Sequence, residues 1–445
     1  MFIGFSMSLI PFHNPKKNIS SFPRWFAGIS IASHCRRIES ALIGVHGQGS
    51  GAPIEIRKTI SFDLPHEITE SYNNLQETVL KNTRGNRATS TDIKIPSSLL
   101  FHVLRELASV EEEAIDELLG ESRLAKNDLL AVGIYDSGIR CRTASGGLYY
   151  QSLCDAPFLA EQTGLNIVDA FPLQDIASGG KGGPLFPLPI WIFLKSESSD
   201  RVLLDLGRTA KLTFLPKAEN SFSHQRITQR DLIPCGSLLD TLTWELTGGE
   251  TSIDLGGRLT VQGCQIPALL SELRGLVPPE EVWNPYGLPV DRYLKVVAKS
   301  TNDGHSYQDV LCTTSHFIAE TITKHLQTLI AEHTANDHSE PEILVSGSVR
   351  MHGMMMNQIS SQLRRRPMTP ITHLDIPTET FDSLCTAMLT LMAVEHIPAS
   401  LPHLTGSETT KPLGRITAGS ITNWHRLLRE MAQTKPTERP LRSVI

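Results

Sequence analysis

The strand and helix pattern of the first half of this chain starts again near residue 200. Three strand-like pieces lie between residues 26 and 60, a helix is predicted over Ser97–Leu119, and a buried strand over Leu129–Tyr135. Two more strands, joined by a tight turn, are predicted at Arg201–Leu206 and Ala210–Pro216, and helices and a buried strand follow them. This repetition predicts an α/β protein with two lobes and a cleft between the lobes.

Composition places the chain among ordinary globular proteins. Hydrophobic residues make up 40% of its 445 residues, and 41 basic residues stand against 47 acidic ones, for a net charge of −6. This balance argues against a nucleic-acid partner, and the lack of an apolar run of about 18 residues argues against a membrane partner. The seven cysteines are scattered without a CxxC pair, which indicates free thiols in a reducing, cytoplasmic location.

The same pattern divides the chain into segments. We expect residues 1–24 to be a disordered extension, residues 25–199 to form lobe I and residues 200–435 to form lobe II. The final helix could also return to lobe I. No set of histidines and cysteines has the spacing of metal ligands, so no metal-binding residue is predicted.

A glycine-rich stretch at Ala170–Pro189, AFPLQDIASGGKGGPLFPLP, is the strongest functional signal. Backbone N–H groups of glycines can approach the oxygens of a ligand closely because no side chain intervenes. Asp175 stands just before the glycines and could take a proton from an attacking water or hydroxyl. The alternative is a plain surface loop with a solvated aspartate.

The wider segment Leu159–Pro189 resembles the anhydro-N-acetylmuramic acid kinases, which read close to LAERTGI-VVxDFRxxDxAAGGQGAPLVP at this place. Four weaker similarities follow in the family's order, at Arg201–Pro216, Ser237–Asp240, Ile343–Met355 and Leu401–Gly419. The resemblance implies two ribonuclease-H-like lobes of the actin-like ATPase type, with ATP bound between them. It also implies a reaction that uses water to open the 1,6-anhydro ring of anhydro-N-acetylmuramic acid and phosphorylates O6 during cell-wall recycling.

The resemblance assigns roles to particular residues. Asp175 would be the catalytic base. Asp155, in CDAPF, resembles the aspartate of the family's GDPAL; it would order the wall of the cleft or cap the following helix. The remaining implied binding residues are, for the sugar, Gly179, Gly180 and Gly182, and, for the nucleotide, Gly28, Ser33, Gly207, Asp231 and Gly347. The implied cofactors are ATP and Mg²⁺, the implied partner is a small amino sugar, and a homodimer is possible because the family often dimerises.

Several phosphate-facing positions depart from the family pattern. The family's GLMSGTSLDGID is here GISIASHCRRIE, which puts Ala32 in place of a glycine and Arg36 in place of an aspartate. The family's NIGGIAN is here DLGRTAK, with Arg208 in place of a glycine. An arginine cannot ligate Mg²⁺, and each added side chain pushes phosphate away from the backbone. These changes predict weak, metal-independent ATP binding that falls steeply with salt.

Two hypotheses therefore stand. The first is a divergent anhydro-N-acetylmuramic acid kinase that uses ATP and Mg²⁺, favoured by the Asp175 stretch. The second is a pseudokinase of the same fold that binds a sugar or another partner without turning over ATP, favoured by the altered phosphate segments.

Overall fold

A computed structural model describes residues 22–31, 36–49, 51–83, 95–136, 138–142, 148–219, 223–276, 288–337 and 339–433. Most of the predicted N-terminal extension and the candidate residue Ser33 lie outside the described residues.

The described chain contains both strands and helices. The strands are β1 (Arg24–Ile31), β2 (Arg37–Val45), β3 (Ile54–Asp63), β4 (Leu129–Tyr135), β5 (Ile139–Arg142), β6 (Leu148–Gln151), β7 (Ile167–Asp169), β8 (Arg201–Leu206), β9 (Thr209–Leu215), β10 (Thr228–Pro234), β11 (Glu342–Ser346), β12 (Met368–Pro370) and β13 (Arg415–Thr417). The helices are α1 (His66–Thr83), α2 (Ser97–Ser122), α3 (Ala156–Thr163), α4 (Pro172–Ala177), α5 (Pro187–Leu194), α6 (Gly236–Leu246), α7 (Pro267–Arg274), α8 (Asp291–Asn302), α9 (Tyr307–Asp337), α10 (Gly353–Gln362), α11 (Phe381–Val394), α12 (Pro402–Thr405) and α13 (Ile421–Gln433).

The chain forms two compact units. One contains residues 193–378, and the other combines the residues up to Ile192 with those from Glu379 onward. The last part of the chain returns to the first unit because β13 pairs with β7 and α11 packs on β1, β2 and β4. The predicted bounds of lobe I, 25–199, and lobe II, 200–435, allowed only the final helix to return, whereas the described residues from Glu379 onward all belong to the first unit.

The sheet of the first unit has the order β13-β7-β4-β1-β2-β3. Strands β1, β2 and β3 form an antiparallel meander, whereas β4 is parallel to β1 and β7 is parallel to β4. The three consecutive strand-like pieces predicted between residues 26 and 60 are this meander. A meander followed by two parallel strands is the ribonuclease-H-like arrangement.

Two glycines let a helix approach this sheet closely. Gly28 of β1 and Gly133 of β4 are register partners on neighbouring strands. A Cβ atom on Gly28 would collide with the backbone of Ala387, and one on Gly133 would collide with the side chain of Thr390, both in α11. The apolar helix α11 is buried along almost its whole length as a result.

The sheet of the second unit has the order β10-β9-β8-β11-β12. Strands β8, β9 and β10 are again an antiparallel meander, and β11 and β12 continue the sheet in parallel with β8. The predicted restart near residue 200 is therefore confirmed, and apart from β13 the strands of the two sheets follow the same order. A separate core of buried side chains from this sheet and from α6, α7, α9 and α10 fills the second unit.

Among the described residues, no helix combines the length and the apolar character needed to cross a membrane.

Candidate functional site

Asp175 lies in the short helix α4, and its side chain is fully buried. The backbone N–H of Gly182 donates a hydrogen bond to Asp175 Oδ2 over 2.8 Å. Asp175 Oδ1 is also buried and accepts no hydrogen bond from any described residue. The solvated surface aspartate that the sequence left open is therefore wrong, and one oxygen of this carboxylate is buried without a hydrogen-bond partner among the described residues.

The glycines after Asp175 wrap the backbone onto that carboxylate. We call residues 178–184 the Asp175 loop. A Cβ atom on Gly180 would lie 2.6 Å from Asp175 Cγ, and one on Gly182 would lie 2.8 Å from the Cδ1 atom of Ile176. Gly179 and Gly182 also have φ values of +83° and +74°, which side chains disfavour. The loop is thus built around the acid, and contact of its glycines with a sugar stays a prediction.

A second segment fastens the Asp175 loop. The N–H of Lys181 donates to the carbonyl of Thr405, and the N–H of Glu408 donates to the carbonyl of Ser178, each over 2.9 Å. Thr405 and Glu408 both lie in Leu401–Gly419, the last of the segments that resemble the family pattern. These contacts hold the loop from both sides of Gly179.

Asp155 caps helix α3. Its Oδ1 accepts a hydrogen bond from the N–H of Phe158 over 3.3 Å, and its Oδ2 lies 3.5 Å from the guanidinium of Arg105. The capping role considered from the sequence is therefore present, and the sugar-binding role stays a prediction.

A buried acidic cluster, not found from the sequence, also lies in the first unit. Asp136 is buried and accepts hydrogen bonds from the Tyr150 hydroxyl over 3.0 Å and from the Ser152 hydroxyl over 2.7 Å. Arg415 of β13 binds both carboxylate oxygens of the buried Asp169. Burial raises the pKa of both aspartates, although these hydrogen bonds partly oppose the shift.

Glu111 of α2 completes this acidic cluster. It is fully buried, and neither of its carboxylate oxygens has a hydrogen-bond partner among the described residues. Burial is the main cause of its strongly raised pKa, and the charges of Asp136, Asp169 and Asp155 add to it. Only helical periodicity, which puts Glu111 on the face of α2 that carries Leu107 and Ala114, could have indicated this burial.

The segment GISIASHCRRIE, which corresponds to the family's GLMSGTSLDGID, contains an acid with a strongly raised pKa, Glu39. Arg36 is exposed, and Gly28 has the packing role described above; its contact with a nucleotide stays a prediction. Glu39, near the start of β2, has its pKa raised to about 9, first by burial and then by the charge of Asp382, while Arg37 opposes the shift. An acid at the end of GISIASHCRRIE matches the last aspartate of the family's GLMSGTSLDGID, a signal the sequence analysis did not use.

In the second unit, three glycines from distant segments meet beside the turn between β8 and β9. We call Gly207 and Arg208 the Gly207 turn. A Cβ atom on Gly347, whose φ is +86°, would lie 2.6 Å from the nitrogen of Gly207, and one on Gly236 would lie 3.0 Å from the Gly207 carbonyl oxygen. The predicted nucleotide residues Gly207 and Gly347 are thus brought together, and Gly236 joins them.

The start of helix α6 is tied to the Gly207 turn. The N–H groups of Cys235 and Ser237 donate to the carbonyl oxygen of Arg208 over 2.7 and 3.1 Å, and the N–H of Gly236 donates to that of Gly207 over 3.0 Å. Asp231 lies nearby in the sheet, in β10, where it is buried and opposite Lys211 of β9. The segments that resemble nucleotide-binding motifs therefore form one locally rigid group.

An open pocket of about 610 Å³ lies along helix α10, and its lining runs from Gly353 to Ser361 of that helix. Met354, Val261 and Gly256 line it together with the amide side chains of Asn357 and Gln358. Among the described residues, no group of three or more histidine, cysteine or acidic side chains is arranged to hold a metal ion.

A family model described as anhydro-N-acetylmuramic acid kinase matches residues 73–419, well over half of the chain. The chain belongs to the anhydro-N-acetylmuramic acid kinase family. The match covers the Asp175 loop of the first unit and the Gly207 turn of the second.

Relatives in this family are divergent. The anhydro-N-acetylmuramic acid kinase of Bordetella parapertussis is 27% identical over 317 residues, which cover 70% of this chain and 78% of the relative. The anhydro-N-acetylmuramic acid kinase of Ralstonia nicotianae is 27% identical over 317 residues, which cover 70% of this chain and 80% of that relative. Among solved structures, an activator of 2-hydroxyisocaproyl-CoA dehydratase from Clostridium difficile with bound ADPNP aligns with a TM-score of 0.38 and 12% identity, covering 82% of this chain and 94% of that one.

Proposed function

We propose that this protein is an ATP-dependent kinase that opens the ring of 1,6-anhydro-N-acetylmuramic acid and phosphorylates O6 in cytoplasmic cell-wall recycling. Family membership supports the sugar substrate and the use of ATP. The observation that carries the proposal is the Asp175 carboxylate, which is held at Oδ2 by Gly182 and is unpartnered at Oδ1.

This arrangement suits a general base. The hydrogen bond to Oδ2 and the surrounding glycine backbone fix the carboxylate, so that Oδ1 has one orientation. A water beside Oδ1 would give up its proton to Asp175 as it attacks the anomeric carbon. The ring then opens, and the freed O6 accepts the phosphoryl group. A fixed base loses less entropy in reaching the transition state than a mobile one does.

The second unit offers residues that fit a nucleotide. Gly207 and Gly347 leave backbone without side chains at the carboxyl ends of the parallel strands β8 and β11, where α/β sheets commonly bind ligands. ATP bound there would supply the phosphoryl group, and Mg²⁺ would neutralise its charge. The pocket along α10 has apolar and amide groups suited to a purine base.

One observation favours the pseudokinase instead. The N–H groups at the start of α6 donate to the carbonyl oxygens of the Gly207 turn, so they are already used within the protein. Together with Arg36 in place of a family aspartate, this weakens the case for tight phosphate binding.

The test of the base is Asp175→Asn. Asparagine keeps the shape and can still accept the hydrogen bond from Gly182, but it cannot take the proton. We expect transfer of phosphate from ATP to the anhydro sugar to fall by about 100- to 10,000-fold. The unfolding temperature should change little.

The matched control is Asp116→Asn, which removes an exposed carboxylate from α2 of the same unit and should keep full activity. An Asp175→Asn enzyme that works near the wild-type rate would exclude Asp175 as the base. A wild-type protein that binds the sugar but never phosphorylates it would establish the pseudokinase.

A further inference from the structure

One buried histidine of the second unit lies between the two walls of the pocket along α10. Helix α10 forms one wall, and residues 254–261, which we call the Asp254 turn, form the other through Gly256 and Val261. His352 directly precedes α10 and is only 5% exposed. A Cβ atom on Gly257 would lie 2.6 Å from the Cε1 atom of its ring. The imidazole is therefore attached to the helix and packed against the turn.

His352 caps the first turn of α10. Its Nδ1 atom accepts a hydrogen bond from the backbone N–H of Met355 over 3.3 Å. A ring nitrogen that accepts a hydrogen bond carries no proton, so the neutral imidazole has its proton on Nε2. Both ring nitrogens of a protonated histidine are donors. The cap at the start of α10 therefore exists only while His352 is neutral.

The other ring nitrogen faces an acid of the Asp254 turn. His352 Nε2 is buried, lies 3.9 Å from Asp254 Oδ2 and has no hydrogen-bond partner among the described residues. The Asp254 carboxylate accepts hydrogen bonds from the N–H groups of Leu259 and Thr260 and from the Thr260 hydroxyl, over 2.6 to 3.0 Å. The gap of 3.9 Å is too long for a hydrogen bond, but a charged ring would be attracted to the carboxylate across it. Protonation would thus remove the bond to α10 and pull the ring toward the turn.

The charges near His352 come from the segments that flank α10. The Asp254 turn contributes Asp254 and the exposed Arg258, the residues just before His352 contribute Arg350, and α10 itself has no charged side chain. Burial lowers the pKa of His352 below its usual 6.5, and the charge of Asp254 opposes this shift. The histidine is therefore neutral at neutral pH and takes up a proton only in more acidic solution.

We propose that His352 is a positioning residue for the nucleotide pocket, and that its neutral form keeps the start of α10 fixed against the Asp254 turn. Gly353 and Met354, which line the pocket, belong to the turn of helix that His352 caps. When Nδ1 is protonated, the cap is lost, the ring moves toward Asp254, and binding of the purine base weakens. This inference rests on the proposed function, because it takes the pocket along α10 to hold the base of ATP, and it adds control by acid to that site.

The experiment is calorimetric titration of the full-length protein with ATP and Mg²⁺ at about pH 7.5 and about pH 5.5, on either side of the usual histidine pKa. In His352→Asn, the amide oxygen can accept the Met355 N–H at both pH values, since asparagine is a good cap and gains no proton. On acidification, the ATP affinity of the wild type should fall about 2- to 30-fold more than that of His352→Asn, which corresponds to the loss of a helix cap. Protonation of the ATP phosphates affects both proteins equally and cancels in this comparison.

His373→Asn is the control, because it removes an exposed histidine of the same unit, and it should keep the wild-type pH dependence. Hydrogen exchange of the amides at the start of α10 is a second measurement, made without ATP. After correction for the intrinsic effect of pH, exchange in acid should become faster in the wild type and in the control. This measurement on the wild type tests the cap even if His352→Asn does not fold.

If His352→Asn loses as much ATP affinity in acid as the wild type does, His352 does not control the pocket. If the wild type binds ATP equally well at both pH values, the inference is also wrong, while nucleotide binding stands. Exchange that stays slow in acid in the wild type would overturn the proposed loss of the cap. If the wild type binds no ATP at either pH, the proposed kinase function fails, and so does this inference.

Discussion

The Asp175 loop and the Gly207 turn both use glycine to bring backbone close to other atoms, but they are assembled differently. In the first unit, Gly180 and Gly182 close on an aspartate that is only a few residues away in the chain. In the second unit, Gly207 meets Gly236 and Gly347, which come from separate segments. A local site can be recognised as one motif, whereas a distributed site is visible in the sequence only as weak fragments.

The two sites also differ in what the glycines touch. A side chain on Gly180 would meet the Asp175 carboxylate and could displace it by breaking its hydrogen bond from Gly182, whereas one on Gly347 would meet the backbone of Leu206 and Gly207, which cannot move without distorting the sheet. We therefore expect damage to the distributed site to affect stability, and damage to the local site to affect chemistry.

The largest effect is expected for Gly347→Ala. The new Cβ atom would collide with backbone, and alanine also disfavours the φ of +86°, so unfolding free energy should fall by roughly 2 to 5 kcal/mol. Gly304→Ala is a matched control, because Gly304 has a φ of +87° in the same unit with nothing within 4 Å. The unfolding free energy of Gly304→Ala should fall by only about 1 to 2 kcal/mol. Urea unfolding measures the free energy of both variants. Equal decreases would show that the close contact between Gly347 and the Gly207 turn does not contribute to stability.

For Gly180→Ala we expect a smaller loss of stability, about 1 to 3 kcal/mol, because the carboxylate of Asp175 can move aside. That movement breaks the hydrogen bond from Gly182, so phosphate transfer should fall about 100-fold. Gly120→Ala, at an open position of α2, should change neither stability nor rate appreciably. Unaltered transfer by Gly180→Ala would mean that the orientation of Asp175 is unimportant.

The effect that is smallest within any one pH unit concerns the pH dependence of stability. The pKa of Glu39 rises from 4.5 to about 9 on folding, because of burial and of the nearby charges of Asp382 and Glu379. Its folded form therefore holds a proton that the unfolded form releases, and stability should decrease as pH rises from about 5 to 9, by at most about 1.4 kcal/mol per pH unit. Glu39→Gln should make this decrease smaller, while other buried acids with a raised pKa, such as Glu111, still contribute to it.

The control for this change is Glu121→Gln, since Glu121 is exposed and Lys58 lowers its pKa. Unfolding measured across this pH range should show the full alkaline decrease in the control and a smaller decrease in Glu39→Gln. An undiminished decrease in Glu39→Gln would assign it to other buried acids of the first unit, such as Glu111.

Much of the fold could be predicted because its signals are local. The strands Leu129–Tyr135 and Arg201–Leu206 have the predicted bounds, and the predicted helix over Ser97–Leu119 is α2 with one further turn. The apolar periodicity that predicts each of these elements comes from residues that are only a few positions apart in the chain. Helix α1, with its polar sequence, gave no comparable signal and was missed.

The features of the candidate site also divide into those set by neighbouring residues in the chain and those set by tertiary packing. The sequence alone determined that Asp175 stands beside a glycine loop, because the acid and its glycines are neighbours in the chain. Only the tertiary structure decided that Asp175 is buried with one oxygen unpartnered, that Glu111 lies among other acids, and that His352 packs against Gly257. Burial and charge depend on what packs around a residue, and those neighbours come from distant parts of the chain that meet only when the sheets form.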